Sequence, residues 1–450
     1  MKSLNRKLCA LAGTIALSLA LATPIQAKDS LAQSVSVKPN ALWPIATAVF
    51  NGSIYFISSG GPNSCGGLYE LVLNESTGKD EAKSVHQFSA TAKAGCNPVG
   101  LTIANINGTD LLMVTTDFDG ANGTGGLFLM TAAATKQVSF PADAQSPVGT
   151  AIIAVTSAAK SPRGLPQFDF MSVFKYGGDA GFGDVVAALL FLSGGALNDL
   201  GPAIKVGPFS SAFSFPGGAG GQHPGSPAVQ GPDGNLYGTT QAGGSTNGSC
   251  ATFNGCGIVY QLTPPVGSET QWNEDVLYTF QGAPDFQDPY ASVAFDANGN
   301  VIGTAAFGGT GSFGGVFLLT KQATYPWPLT ALYTFPNDYN EGAAPETAVV
   351  LDSKGNVFGA TLAGGPSPNP YGVVFELKKS ATYPWKESIL QAFHGGKHGA
   401  NPSGAPLLYL GDIYGTTYGG GKDTTGGACP GGGSQDVQPG CGTVFELAPK

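Results

Sequence analysis

The chain has 450 residues and a net charge of −9; 68 of its residues are glycine, 11% are charged and 42% are hydrophobic. Low charge means disorder only when apolar content is low too, so this chain can fold, and its glycine favours many short strands joined by turns. Lys and Arg number only 21. Nucleic-acid binding needs clustered Lys and Arg for phosphates, and in a chain this acidic it is not expected.

The first 27 residues read as a secretory signal peptide. Lys2, Arg6 and Lys7 precede a mostly apolar run from Leu8 to Ala22, and Pro24 and Ala27 mark the expected cut. The run is too short to span a membrane, and Cys9 within it lacks a lipobox-like context. A single soluble domain over residues 28–450, secreted or periplasmic and monomeric, is expected. Removing three cations takes the net charge to about −12 and leaves Arg163 as the last arginine. Six cysteines remain: Cys65, Cys96, Cys250, Cys256, Cys429 and Cys441. An even count in an exported chain without CxxC zinc spacing points to disulfides.

Internal repetition dominates the rest. GNLYGTTQAGG at Gly234 returns as GNVIGTAAFGG at Gly299, GNVFGATLAGG at Gly355 and GDIYGTTYGG at Gly411. Around it each unit reads as four strands: A (such as AVVLD), a Gly-Asn turn, B (NVFGAT), C (VVFELKK) and D (SILQAF). A proline leads strand A at Pro44, Pro98, Pro147, Pro227, Pro289, Pro345 and Pro402. Strand C carries an aromatic at Tyr69, Phe128, Phe191, Tyr260, Phe317, Phe375 and Phe445. The glycine inside strand B (Gly238, Gly303, Gly359, Gly415) is read as letting neighbouring backbones approach.

Strand D ends in phenylalanine only six times, at Phe88, Phe140, Phe215, Phe280, Phe335 and Phe393. The last copy stops after strand C, while a spare strand-like segment, at about residues 33–38, precedes the first copy. A ring of seven four-stranded sheets over residues 41–450 explains both: the first segment supplies the missing outer strand and removes the open edges. The predicted fold is therefore an all-β, seven-bladed β-propeller. A linear β-solenoid does not account for a spare first strand matched by a missing last one.

The unit LYTF…DP…D-x-x-GN-x-x-GTT-x-x-GG…G-x-VF-x-L resembles the GloVer tandem repeat of exported choice-of-anchor bacterial proteins, closely over Phe209–Lys450 and more weakly before it. The resemblance implies an exported, β-propeller-like repeat protein and supplies no catalytic residues. Members often carry a C-terminal surface anchor; none is evident before Lys450.

Strand order puts the B–C and D–A loops on one face and the A–B and C–D turns on the other. The first face carries the long, divergent loops, where binding is expected. All six cysteines map to it, predicting Cys65–Cys96, Cys250–Cys256 and Cys429–Cys441. Candidate ligand-binding side chains there are His223, Asp285, Asp288, Asp338, Glu341, His394 and His398, with Asp179 as a further acid. His394 and His398 have ligand spacing for a helix, but FHGGKHGANP is too glycine-rich for one. Asp117, Asp119 and Asn122 imitate the front of a calcium loop, yet its twelfth position is Phe128. No metal or cofactor is expected, and no GxSxG, P-loop or dinucleotide fingerprint is present. The favoured reading is a non-enzymatic scaffold binding a ligand, glycan or protein on the loop-rich face. The alternative is a hydrolase or lyase acting on polysaccharide through acids in the central funnel.

Overall fold

The computed structural model describes residues 31–36, 42–60, 65–76, 79–93, 95–106, 109–118, 123–132, 135–140, 145–148, 152–154, 167–176, 178–192, 204–206, 210–265, 271–366, 371–421 and 440–448. Seven antiparallel sheets form a seven-bladed β-propeller, with strand A innermost and strand D on the outer rim. Blade 1 is Leu42–Phe50, Ser53–Gly60, Gly67–Asn74 and Lys79–Gln87; blade 2 is Cys96–Ile106, Thr109–Phe118, Gly126–Met130 and Thr135–Ser139. In blade 3, strands A and D are each split around Gln167–Tyr176 and Asp184–Leu192. The B, C and D strands are Leu236–Ala242, Ile258–Thr263 and Asn273–Thr279 in blade 4, then Val301–Ala305, Gly315–Leu319 and Leu329–Thr334 in blade 5. They are Val357–Ala360, Val373–Lys378 and Lys386–Ala392 in blade 6.

Blade 7 confirms the expected closure. Its strands B and C are Asp412–Gly419 and Thr443–Leu447, and its outer strand is Leu31–Ser36, with Ser34 opposite Phe445. The closing strand thus begins slightly earlier than the sequence pattern suggested. The signal-peptide segment lies outside the described residues.

The repeat motifs now have physical roles. In blades 5 and 6 the Asp of D-x-x-G-N closes the A–B turn: Asp296 and Asp352 each accept from the backbone N–H of the turn Asn (Asn300, Asn356; 2.9 Å) and from its Nδ2 (2.9 Å). Gly299 and Gly355 take φ of 77° and 83°, which a side chain would resist. The strand-B glycine differs from the reading given above. It makes room for the ring of its cross-strand partner, not for a backbone. Gly238, Gly303, Gly359 and Gly415 pair with Tyr260, Phe317, Phe375 and Phe445, whose rings lie where a Cβ would stand.

In blades 1–3 other pairs fill that space: Phe56 stacked on Tyr69 (5.2 Å), Val114 opposite Phe128, and Ser172 opposite Val186. Phe191 does lie on strand C of blade 3, Asp184–Leu192, but out of register with the other strand-C aromatics: it pairs with Gln167 at the far end of the strand. All six strand-D phenylalanines are fully buried, and each donates its N–H to the glycine carbonyl that opens strand C of its own blade.

The blades are stitched at one recurrent seam. A left-handed residue precedes the strand-A proline in every blade: Trp43, Asn97, Ser146, His223, Asp288, Ala344 and Asn401, with φ from 51° to 58°. At six seams its N–H bonds a carbonyl of the preceding blade, on Cys441, Cys65, Phe182, Cys256, Phe313 and Tyr371 respectively for all but Ser146. At five seams the proline ring covers a glycine of that blade: Pro44 over Gly442, Pro98 over Gly66, Pro224 over Gly183, Pro289 over Gly257 and Pro402 over Gly372. In blade 4 this proline is Pro224, over Gly183, not Pro227. Hydroxyls add cross-links: Thr239 Oγ1 to Ala291 O (3.1 Å), Thr304 Oγ1 to Thr347 O (3.0 Å) and Ser403 Oγ to Pro44 O (2.8 Å).

Candidate functional site

The described B–C and D–A loops share one face, as expected. Two disulfides are present there, Cys65–Cys96 and Cys250–Cys256, as the sequence predicted. Cys441 is also disulfide-bonded; Cys429, its expected partner, lies outside the described residues. The bridges have a definite place. Cys65, Cys256 and Cys441 are three of the six residues whose carbonyls hold the next blade. Each bridge therefore braces a seam as well as a loop.

The same seam builds the mouth of the central channel. Each left-handed residue faces one residue of strand B: Asn97 faces Asp117, Ser146 faces Lys175, His223 faces Gln241 and Asn401 faces Tyr418. The backbone N–H, the proline and the glycine carry the seam, and the side chains at these paired positions make contacts that differ from blade to blade: Asn97 bonds Asp117, and the buried Asn401 donates Nδ2 to Leu362 O at 3.0 Å. These positions are where the blades stop resembling one another.

Blades 3 to 6 bring charge together at this mouth. Lys175 acts on both His223 and Asp288 from the preceding blades' side. Burial lowers the His223 pKa and Lys175 lowers it further, so both act against the charged imidazolium. Burial raises the Asp288 carboxyl, while Lys175 and the Gln241 amide pull it partly back. Glu346, directly after the seam proline of blade 6, is pushed up to about 7 by burial and by Asp288. Tyr290 follows the seam proline of blade 5 and feels both Glu346 and Asp288.

Aromatic rings interleave with these groups. Tyr176 packs edge-on against His223 at 5.1 Å. Phe118, Tyr176, Tyr290 and Phe307 are four of the eight large hydrophobic side chains that stay exposed among the described residues, and all four lie at this end of the ring. Across the ring Trp43 stacks on Tyr418 at 5.6 Å and 7°. The mouth thus joins a titratable side with an aromatic one, the mixture found in sites for polar organic ligands.

Of the sequence candidates, His223 and Asp288 enter this cluster. Asp285 and Glu341 hold loops instead: the Tyr278 hydroxyl donates to Asp285 at 3.1 Å, and Tyr333 donates to Glu341. Asp338 is solvent-facing and accepts the Asn340 N–H at 3.0 Å, a local turn that lowers its pKa. Asp179 is exposed, its N–H donating to Ser214 Oγ (3.3 Å). His394 and His398 lie together with Lys397 at a different D–A loop, where burial, with smaller contributions from Lys397 and His394, lowers the His398 pKa. Asp117 accepts from Asn97 Nδ2 at 3.5 Å; Asp119 and Asn122 lie outside the described residues. Among the described residues no three His, Cys, Asp or Glu side chains are grouped to hold a metal. Lys175, Gln241, Tyr290 and Glu346 escaped sequence reasoning. Their signal was positional, since they flank the seam prolines in register.

The profile of the Gloeobacter/Verrucomicrobia repeat matches residues 192–429. The chain belongs to this repeat family. Among curated proteins nothing matches. Similar solved structures include a puromycin-hydrolyzing peptidase of Mycobacterium tuberculosis (TM-score 0.47, 9% identity, 86% of this chain and 52% of that one). A protein of unknown function from Dyadobacter fermentans gives 0.41 at 11% identity, covering 93% of this chain and 98% of that one. A glucose dehydrogenase gives 0.39 at 15% identity, covering 78% and 96%. The chain spans about half the length of the mycobacterial peptidase. Likenesses this distant carry no argument about activity. Among the described residues no helix is long and apolar enough to cross a membrane.

Proposed function

We propose that this member of the repeat family is an exported, non-enzymatic scaffold that binds a polar organic ligand, such as the end of a glycan or peptide chain, at the channel mouth. One observation carries the reading. Side chains diverge between blades at the seam positions, where Lys175, His223, Asp288 and Glu346 converge beside exposed aromatic rings. A scaffold that keeps its backbone seams uniform and varies only those side chains is arranged for recognition. The disulfides, two of them fully described, suit an oxidising compartment.

A second reading has a specific observation behind it. Burial, with Asp288 adding to it, raises Glu346 to about 7, so the pair can hold one carboxylate and one carboxylic acid near neutral pH. That is the starting point for general acid–base cleavage of a glycosidic bond. The test is a glycan and peptide binding array on the mature protein, repeated with Asp288→Ala and Glu346→Ala and followed by product analysis of every bound glycan. Binding lost in both variants with no product supports the scaffold. Product formation that Glu346→Gln abolishes supports the enzyme. Binding that both variants retain rules out the mouth.

A further inference from the structure

The opposite face, which carries the A–B turns and C–D loops, holds a second feature independent of the mouth. The C–D loops of blades 5 and 6 share the segment TYPW. In each, Trp is buried (Trp327 2% and Trp385 6% exposed), and its backbone N–H is clasped by strand D of the preceding blade, on Leu277 O and Leu332 O, both at 2.8 Å. In each, Tyr lies over that Trp with centroids 6.4 Å apart and planes at 20° (Tyr325) or 7° (Tyr383). Tyr325 is 44% and Tyr383 51% exposed, so each ring keeps a large part of its surface open to solvent.

We propose that Tyr325 and Tyr383 are two stacking platforms for the pyranose rings of a neutral polysaccharide. Each tyrosine stands two residues before a clasped, buried tryptophan and runs nearly parallel to its indole, so the loop that carries it is ordered before binding. The Tyr325 hydroxyl is held between Gln261 Oε1 (3.5 Å) and the Asp275 carboxylate, which sets the edge of the platform among hydrogen-bond acceptors. Lys321 and Asp233 pair at 2.8 Å on the same face. Flat, isolated rings set among polar groups do not make the contiguous apolar patch of a protein interface. They do suit a ligand with an apolar C–H face and hydroxyls around its rim, because a π-face attracts polarised hydrogens. Asp275 beside Tyr325 disfavours an anionic sugar, while Asp233 is offset by its pairing with Lys321. Repetition of one geometry on successive blades suits a polymer, whose units also repeat.

The test uses calorimetric titration of the mature protein with cellohexaose, xylohexaose and mannohexaose, and with polygalacturonate as an anionic control. At least one neutral hexasaccharide is expected to bind. Tyr325→Ala and Tyr383→Ala should each weaken it up to about tenfold, and the double variant should abolish it. Tyr→Phe at either position should keep affinity within about twofold, since the ring is retained. All titrations are made in the Asp288→Ala/Glu346→Ala background, which removes any glycan bound at the channel mouth and leaves the tyrosine platforms as the site that is read. Should either tyrosine variant melt early, Tyr383→Gln gives a second measure at the same position. Absence of neutral-glycan binding, binding that survives loss of both rings, or a preference for polygalacturonate would overturn the proposal.

Discussion

Blades 4–7 and blades 1–3 solve the same packing problem differently. The later blades repeat one device, a strand-B glycine under a strand-C ring, and between blades 4, 5 and 6 the TYPW loops add staples along the rim. The earlier blades fill that space with Phe56 on Tyr69, Val114 on Phe128 and Ser172 on Val186. They also join blade 1 to blade 2 covalently through Cys65–Cys96. What both halves keep is the seam of left-handed residue, proline and glycine. The lesson is that ring closure rests on the backbone seam, while the strand-B pair is free to change as long as the volume between blades stays filled.

Removing residues 31–36 tests the seam's sufficiency most severely. It strips blade 7 of its outer strand, exposes the edge of Thr443–Leu447, and should lower the melting temperature by about 10 °C or more with aggregation. A scanning calorimetry trace within a degree or two of the parent would show that the seam closes the ring unaided.

Next comes the covalent link. Replacing Cys65 and Cys96 by alanine opens a loop with a sequence separation of 31 and should cost about 3.5 kcal/mol; the same change at Cys250 and Cys256, separated by 6, should cost about 2 kcal/mol. Equal losses in chemical denaturation would mean that the bridges act on their loops and not through chain closure.

The strand-B position separates the halves most directly. Gly359→Ala drives a methyl into the Phe375 ring and should cost roughly 1–3 kcal/mol. Val114→Gly in blade 2 should cost a similar amount for the opposite reason, an unfilled gap beside Phe128. If glycine were tolerated in blade 2, the two halves would be interchangeable.

The smallest effect is electrostatic and belongs to the later blades. Burial, together with Asp275, Asp288 and Glu341 respectively, pushes Glu274 up to about 8, Glu346 to about 7 and Glu387 to about 7. Each carboxyl titrates lower once unfolded, so the unfolded chain sheds these protons first. Their contribution is complete below pH 4.5 and is lost as pH rises through 7 to 8. The melting temperature should be a few degrees higher at pH 5 than at pH 8, and Glu387→Gln should shrink the difference. A rise in stability towards pH 8 would contradict this.

The ring was legible because its grammar is local. Turn chemistry at Gly-Asn, period-two strands and one missing strand-D phenylalanine specify seven blades and their closure before any contact is known. Shared loop direction gave the two described disulfide pairings. The mouth was less legible. Lys175 sits in the most eroded copy, where Phe191 suggested a false register, and Glu346 follows Pro345 inside a strand that reads as packing. Asp285 and Glu341 looked available only because the strand-D tyrosines that engage them, Tyr278 and Tyr333, are distant in the alternation pattern.

The pairing of Ser34 with Phe445 has a temporal consequence. Strand Leu31–Ser36 is made before any blade, and its partner Thr443–Leu447 is made after every other strand. Blades 1 to 6 can each complete their hydrogen bonding as the chain emerges in order, but the seventh must wait for the last strand. Closure is therefore a contact of maximal sequence separation, the slow and late kind in folding. Until it forms, the nascent ring presents two mutually complementary strand edges, and these must find each other before they find those of a second chain.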